Sequence, residues 1–318
     1  MKTLAPERTA LSEMTPQKNS RRDNAQAFKH WGFAVVIVAG ALAISPWLPS
    51  WAFMWSLAAA MFFALKWLTL QRALRLNPTP SLLRVLDYLF LWIGMNAQEF
   101  LFTPRHRASL PRITEWLVVF AKILFGGALL WGVTPLLSPA PPWLVAWTGM
   151  VGLIFLMHFG AFHLLSLGWR TFGFSAPPIM RNPISATSLS DFWGSRWNNA
   201  FRDAAHVLVF CPLRPHLGAR GAMFAVFLVS GLAHDFVISL PAAVGFGLPT
   251  LYFAAQGCGV WLERSTLGKR LRLQRGLRGR IFALAVVAAP VFWLFHPPFA
   301  EGVILPFLEV IGAWKGAQ

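Results

Sequence analysis

Long apolar runs recur along almost the whole chain and limit what it can fold into. A helix needs about 20 predominantly apolar residues to cross a bilayer. Eight stretches approach or reach that length: residues 31–48, 51–70, 115–137, 143–167, 221–241, 247–262, 281–299 and 302–314. Of the 318 residues, 56% are hydrophobic, whereas a soluble domain has roughly 45–50%. The pattern predicts an all-α, polytopic transmembrane bundle of about eight spans, the last of them short.

The chain is long enough for two soluble domains, but a helical membrane bundle is one unit. We therefore predict a single membrane-embedded domain over residues 30–318. Residues 1–29 are polar and carry six Lys or Arg. They lack the compact apolar segment and cleavage site of a signal peptide, so we interpret them as a flexible cytoplasmic arm.

Two other stretches lack the pattern of a clean crossing. Residues 82–102 are apolar, but they contain an Asp, an Asn, a Gln and a Glu, and basic residues flank both ends. This favours a re-entrant or interfacial segment. Residues 190–210 combine helical spacing with a mixed face, which is typical of a helix at the membrane surface.

The formal net charge of +16 comes from basic residues confined to alternate loops. Four loops contain no Lys or Arg: residues 45–50, 138–143, 241–247 and 299–302. With the arm in the cytoplasm, every basic loop faces the cytoplasm, as the positive-inside rule requires. Lys66 and Lys122, the basic residues inside spans, are expected to snorkel to the cytoplasmic edge. We predict a multi-pass inner-membrane protein with both termini cytoplasmic. Its basic residues are expected to contact membrane lipids and not nucleic acid.

One ionisable pair interrupts the fifth run. His234 and Asp235 lie within residues 222–240, which are otherwise apolar. An ionisable side chain at this depth costs a few kcal/mol, so it usually serves pairing or chemistry. The run alone leaves both interpretations open, because a histidine can also hydrogen-bond between helices. Neighbouring helical residues point about 100° apart, so Asp235 is expected to have a structural or donor-positioning role rather than to face the imidazole.

Residues 192–198, Phe-Trp-Gly-Ser-Arg-Trp-Asn, form a second unusual pattern. Trp193 and Trp197 give a dense aromatic face, with Arg196 and Asn198 beside it. An amphipathic helix with a tryptophan anchor accounts for the aromatic residues but not for this particular sequence.

Together the two patterns resemble the wax-synthase branch of the membrane-bound O-acyltransferases. That branch carries a Phe-Trp-Gly-Arg-Arg-Trp-Asn-type signature and, some tens of residues later, a buried histidine in a Ser-Gly-x-x-His-Glu/Asp context. Here residues 230–235 are Ser-Gly-Leu-Ala-His-Asp. Ser195 stands where the branch often has Arg, and Asp235 where it often has Glu. The resemblance covers roughly residues 80–312.

The resemblance implies an MBOAT-like fold and transfer of an acyl group from a thioester, usually acyl-CoA, to a hydroxyl. It makes His234 the general base and Asn198 its polar partner. The chemistry agrees, because a neutral imidazole can take the proton of a hydroxyl as it attacks. A thiolate leaves readily, so no cysteine nucleophile is required. Asn198 would orient the acceptor or donate to the developing oxyanion. Acyl-CoA is expected as a co-substrate, with no cofactor.

Further substrate contacts are expected from residues near this pair: Trp193, Arg196, Trp197, Asp235 and His163. Arg196 is a candidate phosphate contact for CoA, although interfacial charge would also explain it. His163 would line the reaction chamber or hydrogen-bond within the core. His158 lies five residues before it, about 140° away around a helix. With 8 histidines, the chain lacks the dense motifs of membrane di-iron enzymes, and we expect no metal site.

The acceptor is expected to be a long-chain or otherwise hydrophobic alcohol. An alternative is O-acylation of a sugar, a polyketide or another small hydroxyl compound. A rival from another class is a proton-coupled transporter or a lipid-binding membrane protein, with His234 as a proton relay. A transporter predicts inverted repeats with helices interrupted at matching positions, and the sequence shows no such symmetry.

Overall fold

A computed structural model describes residues 17–77, 79–104, 109–137 and 140–316, with the backbone alone for residues 17–29. These residues form helices joined by short loops, and no β-strand occurs among them. This confirms the predicted all-α bundle.

The helices that build the bundle are α1 (Gln17–Ala43), α2 (Ser50–Leu76), α3 (Leu82–Leu86), α4 (Ala97–Phe102), α5 (Ile113–Leu136), α6 (Pro142–Thr171), α7 (Asn199–Ala242), α8 (Leu248–Arg264), α9 (Gly276–Leu294) and α10 (Leu305–Val310). Shorter helical pieces are Ser45–Trp47, Pro183–Ser185, Thr266–Arg270 and Pro297–Phe299. Wider π-helical turns lie within several of these helices or directly next to them: Asp87–Leu91, Ala128–Val133, Ile154–Ala161, His206–Phe210, Asp235–Ser239 and Ala300–Ile304. Residues 189–196, here called the signature helix, comprise Leu189–Asp191 and the π-helical turn Phe192–Arg196.

Six helical segments of the described chain are long and apolar enough to cross a membrane. They are His30–Trp47, Ser50–Leu76, Ile113–Leu136, Pro142–Thr171, Asn199–Ala242 and Gly276–Leu294. They coincide with the first five predicted runs and the seventh. The sixth run forms α8, whose 17 residues extend about 26 Å from one end of the bundle to the other. The predicted total of eight spans is not confirmed.

The last predicted run does not cross the bundle. Residues 300–310 form about 16 Å of helix, roughly half the thickness of a bilayer core. Phe307 packs on Trp51, near the start of α2. Ile311 O accepts a hydrogen bond from Trp131 Nε1, near the end of α5, at 3.0 Å. The chain thus stays near one end of the bundle, and this geometry speaks against the prediction that both termini are cytoplasmic.

Basic and non-basic loops lie at opposite ends of the bundle. At one end, Arg170 of α6 pairs with Glu115 of α5 at 2.6 Å. At the same end Arg264, the last residue of α8, bonds to Ser190 of the signature helix. At the other end, the last turn of α7 forms a hydrogen bond with the loop after α9. An uncharged loop follows this turn of α7. This segregation is what the positive-inside pattern requires.

Residues 82–102 form a broken helix, as expected for a segment that does not cross. Residues 92–96 are extended between two helical pieces. The break frees carbonyl groups inside the bundle, and Lys66 Nζ donates to those of Trp92 and Gly94 at 2.9 and 2.8 Å. Lys66 is fully buried, so the prediction that it snorkels to the edge is wrong. Lys122 is half-buried, with Nζ 5.7 Å from the centroid of the Phe159 ring.

The beginning of α1 lies inside the stretch predicted as a flexible arm, because the helix starts at Gln17. Residues 1–16 lie outside the described residues. The division of the chain at residue 29 therefore stays a prediction.

Candidate functional site

Two cavities inside the bundle share one wall. The first has a volume of about 210 Å³ and the second of about 430 Å³. His234, Asn198 and Phe201 line both of them. The structure therefore brings together the two residues that the sequence predicts as base and partner, and it places them between two compartments.

The first cavity reaches the basic end of the bundle. Ser190 and Arg264, which lie at that end, belong to its lining, together with Arg202 at the start of α7. Trp193 of the signature helix and Trp197, which follows it, belong to its aromatic lining. Their contact with substrate stays a prediction. The first cavity therefore connects a positively charged rim to His234.

The second cavity is mostly apolar. Along α2 its lining runs from Trp55 to Leu65, and Ile93 and Met95 of the broken helix close it on another side. Helix α6 contributes His158 and two apolar residues to the lining, one before His158 and one after it in the sequence. This composition suits an aliphatic or polycyclic group better than a charged one.

His234 carries a free nitrogen lone pair at the shared wall. Its Nδ1 lies 2.7 Å from the carbonyl oxygen of Ser230. A carbonyl can only accept, so Nδ1 carries the proton and Nε2 is the basic nitrogen. Nε2 has no hydrogen-bond partner among the described residues and is not sealed from the cavities. The ring packs on Phe253, with centroids 4.5 Å apart, which limits its rotation.

Asn198 holds an unusual backbone conformation between the signature helix and α7. Its φ is 42°, in the left-handed region that Asn tolerates better than most residues. Its Oδ1 caps α7 by accepting from the N–H of Phe201 at 3.2 Å. Its Nδ2 has no partner within the described chain, so two N–H groups remain for a ligand at the shared wall. The predicted surface helix over residues 190–210 is thus two helices joined at Asn198.

Buried partners fix both tryptophans of the signature sequence. Trp193 Nε1 donates to Gln256 Oε1 at 3.2 Å, and Gln256 is fully buried. Trp197 stacks on Phe192, with ring centroids 5.7 Å apart and planes 11° apart. These contacts give the first cavity a rigid wall. They also extend the role of the signature sequence beyond anchoring at the membrane surface.

Arg196 is engaged within the protein and does not line either cavity. Its Nε donates to Asp191 Oδ2 at 2.6 Å, and its NH1 donates to Ser185 Oγ and, at 3.3 Å, to Asn182 O. Burial raises the pKa of Asp191, but its hydrogen bonds, including that from Arg196, outweigh burial and hold this pKa below its usual range. Arg196 thereby joins the signature helix to the loop before it.

Arg264 is the more available guanidinium. Only its Nε is bonded among the described residues, to Ser190 Oγ at 3.1 Å. Arg202 also lines the first cavity, but its nitrogens donate to Asp203 and to Gly194 O. The geometry therefore favours Arg264 over the predicted Arg196 as a contact for a phosphate.

Asp235 turns toward the loop that follows α7 and lines neither cavity. Its carboxylate accepts from Gly247 N–H at 2.9 Å, from the backbone and hydroxyl of Thr250, and from Ser239 Oγ. Of the two roles predicted for Asp235, these bonds favour the structural one. Its substrate contact stays a prediction that the geometry does not support.

The histidines of α6 are divided between the cavity and the core. His158 lines the second cavity, whereas His163 lines neither. His163 Nε2 is buried without a hydrogen-bond partner among the described residues. The geometry thus points to His158 as the chamber residue, although the sequence analysis considered His163 for that position.

Sequence reasoning also missed Glu263, the residue before Arg264. Glu263 is 1% exposed, and its carboxylate caps the signature helix by accepting from Leu189 and Ser190 N–H at 2.6 and 3.1 Å. A Glu-Arg pair at the end of an apolar run also fits a simple membrane boundary. The contact that distinguishes a helix cap from a membrane boundary is with a helix start more than 70 residues earlier in the sequence. The sequence around Glu263 therefore does not reveal it.

The chain matches a family model and several known proteins over part of its length. Residues 176–253, which include the signature helix and His234, match the model of the membrane bound O-acyl transferase family. A long-chain-alcohol O-fatty-acyltransferase of Simmondsia chinensis is 32% identical over 152 residues, covering 44% of this chain and 43% of the relative. A probable long-chain-alcohol O-fatty-acyltransferase 3 of Arabidopsis thaliana is 30% identical over 152 residues, covering 44% of each chain.

A third relative differs in the acceptor that its name specifies. An acyl-CoA–sterol O-acyltransferase 1 of Arabidopsis thaliana is 28% identical over 133 residues, covering 38% of each chain. The matched part thus spans less than half of each of these relatives. The family match, these relatives and the two sequence motifs agree on one classification. In the matched region the chain is similar to the membrane-bound O-acyltransferase family and, within it, to wax-synthase-like members.

Proposed function

We propose that this protein transfers a fatty acyl group from acyl-CoA to the hydroxyl of a long-chain or otherwise hydrophobic alcohol. One observation carries the proposal: His234 and Asn198 stand in the wall between a cavity with a basic rim and a cavity with apolar walls. A reaction between a charged thioester and a hydrophobic alcohol needs such a meeting point.

The donor occupies the first cavity. Arg264 at the rim binds a phosphate of CoA, since its terminal nitrogens are free among the described residues. His234 lies 16 residues beyond Gly218, where α7 bends with a φ of 65°. This separation corresponds to about 24 Å of helix, so the thioester has to reach deep into the bundle. The aromatic wall of the first cavity excludes water there and limits hydrolysis.

The acceptor occupies the second cavity, with its alkyl part against α2 and its hydroxyl at Nε2 of His234. Nε2 accepts the hydroxyl proton as the oxygen attacks the thioester carbonyl. The N–H groups of Asn198 Nδ2 stabilise the oxyanion of the tetrahedral intermediate. Collapse of this intermediate breaks the C–S bond, and the CoA thiolate takes the proton from the imidazolium. The products are an ester and free CoA, and no cofactor takes part.

The apolar second cavity favours a hydrophobic alcohol over a sugar or another small polar hydroxyl compound. The relative named for a sterol acceptor keeps a sterol among the acceptors to be tested. The same cavity does not by itself argue against a transporter, but a transporter forms no ester. Product analysis therefore separates these alternatives.

We further propose that the basic end of the bundle faces the cytoplasm of the inner membrane, where it meets acyl-CoA. Cysteines introduced near residues 246 and 272 should be labelled from opposite sides of the membrane. Labelling of both from the same side would contradict this orientation.

The experiment that tests the function is mass spectrometry of lipids from cells with and without the gene, supplied with a fatty alcohol or a sterol. We expect a new ester that appears only with the gene and contains the supplied alcohol. No new ester with any supplied alcohol, although the protein is present in the membrane, would contradict the proposal.

A further inference from the structure

Lys66 is a fully buried lysine inside the bundle that the proposed chemistry does not use. Its Nζ donates to the carbonyl oxygens of Trp92 and Gly94 at 2.9 and 2.8 Å. It also lies 3.3 Å from the centroid of the Tyr88 ring. A lysine held by carbonyls and an aromatic face, away from water, is costly to keep. Such a lysine indicates that the position of the backbone segment it binds is important.

That segment lies directly on the second cavity. Ile93 stands between the two residues whose carbonyls bind Lys66, and Met95 follows them. Both side chains line the second cavity, although neither Lys66, Trp92 nor Gly94 does. Lys66 therefore holds the backbone on either side of Ile93 without contacting the cavity itself.

Neighbouring residues brace the same arrangement. Tyr88 is fully buried, and its hydroxyl lies 2.8 Å from Thr69 Oγ1, one turn after Lys66 on α2. The Trp92 indole folds over Gly94 so closely that a Cβ at Gly94 would overlap the ring. The extended residues 92–96 thus have little freedom to shift, which gives Ile93 and Met95 fixed positions.

Ile93 and Met95 lie at the Leu65 end of the second cavity. Leu65 is the last residue of α2 in its lining, about 15 Å along the helix from Trp55. Ile93, Met95 and Leu65 belong to or pack on one buried apolar cluster with Ile179. An acceptor whose apolar chain runs along α2 toward Leu65 would meet this cluster.

We propose that Ile93 and Met95 determine the length or bulk of the acceptor's apolar group, and that Lys66 is the positioning residue that holds them as the end wall of the second cavity. This inference rests on the proposed function, because it assigns the second cavity to the alcohol. A change of one methylene in an apolar pocket alters kcat/KM by about 10–200-fold. A rigid end wall can thus discriminate between chain lengths.

The test compares kcat/KM for short, medium and long linear alcohols, with one acyl-CoA and purified full-length protein. Met95→Ala and Ile93→Ala enlarge the end of the cavity. Each is expected to raise the kcat/KM ratio of the long over the short alcohol by about tenfold. Lys66→Met keeps the apolar length of the side chain and removes its donors. It should reduce the discrimination between chain lengths while kcat for the preferred alcohol stays within a few-fold.

Two matched controls separate this effect from general damage. Met150 is as buried as Met95, each being 6% exposed, but it lines neither cavity. Lys122 is the other span lysine and is half-buried. Met150→Ala and Lys122→Met should leave the chain-length ratio of the wild type unchanged.

The possible failures are distinguishable. If wild-type protein forms esters but Met95→Ala and Ile93→Ala show the same ratio as Met150→Ala, the inference is wrong and the proposed function stands. If wild-type protein forms no ester with any alcohol, the proposed function itself is wrong. If Lys66→Met does not fold, the two end-wall variants still decide whether the end wall sets the chain length. Lys66→Leu, which also lacks donors, then tests the positioning role with the same ratio, and a wild-type ratio in that variant would overturn it.

Discussion

His234 and His296 are two hydrogen-bonded histidines of one bundle, and only His234 is placed for chemistry. His234 donates from Nδ1 to Ser230 O and keeps Nε2 free at a wall shared by two cavities. His296 is 1% exposed and lines neither cavity. Its Nδ1 accepts from Phe299 N–H at 3.3 Å, and its Nε2 lies 3.3 Å from Ser239 Oγ.

The His296 network contains the residue types of a catalytic triad but has the opposite polarity. Because Nδ1 accepts, Nε2 carries the proton and donates to Ser239 Oγ. Ser239 in turn donates to Asp235 Oδ1 at 3.0 Å or to Gly245 O at 3.2 Å. A triad histidine must instead accept the proton of its serine. Residue types alone therefore do not identify a base, and the proposal for His234 rests instead on its free lone pair at the cavity wall.

The largest effect should separate the two histidines directly. His234→Ala removes the proposed base, so ester formation in purified protein should fall by about 10³-fold, within the usual range for general-base catalysis. His296→Ala removes only a structural contact and should keep most of the activity. Equal losses in the two variants, with both proteins folded, would contradict the assignment.

A smaller loss is expected at Asn198. Asn198→Asp keeps an oxygen that caps α7 but removes the N–H groups that we propose to bind the oxyanion. Turnover should fall by about 10²-fold, as for a lost oxyanion donor. The matched control is Asn182→Asp, because Asn182 has a similar left-handed backbone, with a φ of 48°, and lines neither cavity. Wild-type turnover in Asn198→Asp would show that Asn198 only shapes the backbone.

The two arginines should differ in substrate affinity. Arg264→Gln is expected to raise the KM for acyl-CoA by about tenfold with little change in kcat, since a hydrogen bond to a charged group contributes about 1.5–3 kcal/mol. Arg196→Gln should leave this KM unchanged and lower the thermal stability, because Arg196 bonds only within the protein. Steady-state kinetics and thermal unfolding measure both. A raised KM in Arg196→Gln alone would restore the sequence-based assignment.

The smallest effect concerns the His296 network. Ser239→Ala removes a buried hydroxyl that links Asp235 and the loop after α7, so the free energy of unfolding should fall by about 1 kcal/mol. Ester formation per folded molecule should stay within a few-fold of the wild type. Thermal unfolding in detergent and activity assays check this. Loss of activity without loss of stability would place chemistry at Ser239.

Sequence patterns predicted the elements that follow from hydropathy and the residues that the family motifs identify. The apolar runs predicted the helices of the bundle, and the motifs paired His234 with Asn198. The sequence could not show which nitrogen of His234 is free, because that depends on the Ser230 carbonyl one helical turn earlier.

The failures share one physical cause, which is a partner that hydropathy and motif patterns do not show. A lysine near the end of an apolar run resembles a snorkelling residue unless the carbonyls of the broken helix are known to approach it. Arg196 lies inside the signature motif, yet its neighbours bind it, whereas Arg264 reaches the first cavity from α8. Burial and pairing at such positions depend on how the helices pack.

The most direct test of the central claim is ester formation by His234→Gln. Glutamine can keep a hydrogen bond near Ser230 and fill much of the same space, but it has no basic nitrogen. We predict a protein that is folded, with wild-type abundance and thermal stability, and that forms ester no faster than His234→Ala. Activity restored by glutamine would contradict the account, because His234 would then act through its hydrogen bond and not as a base.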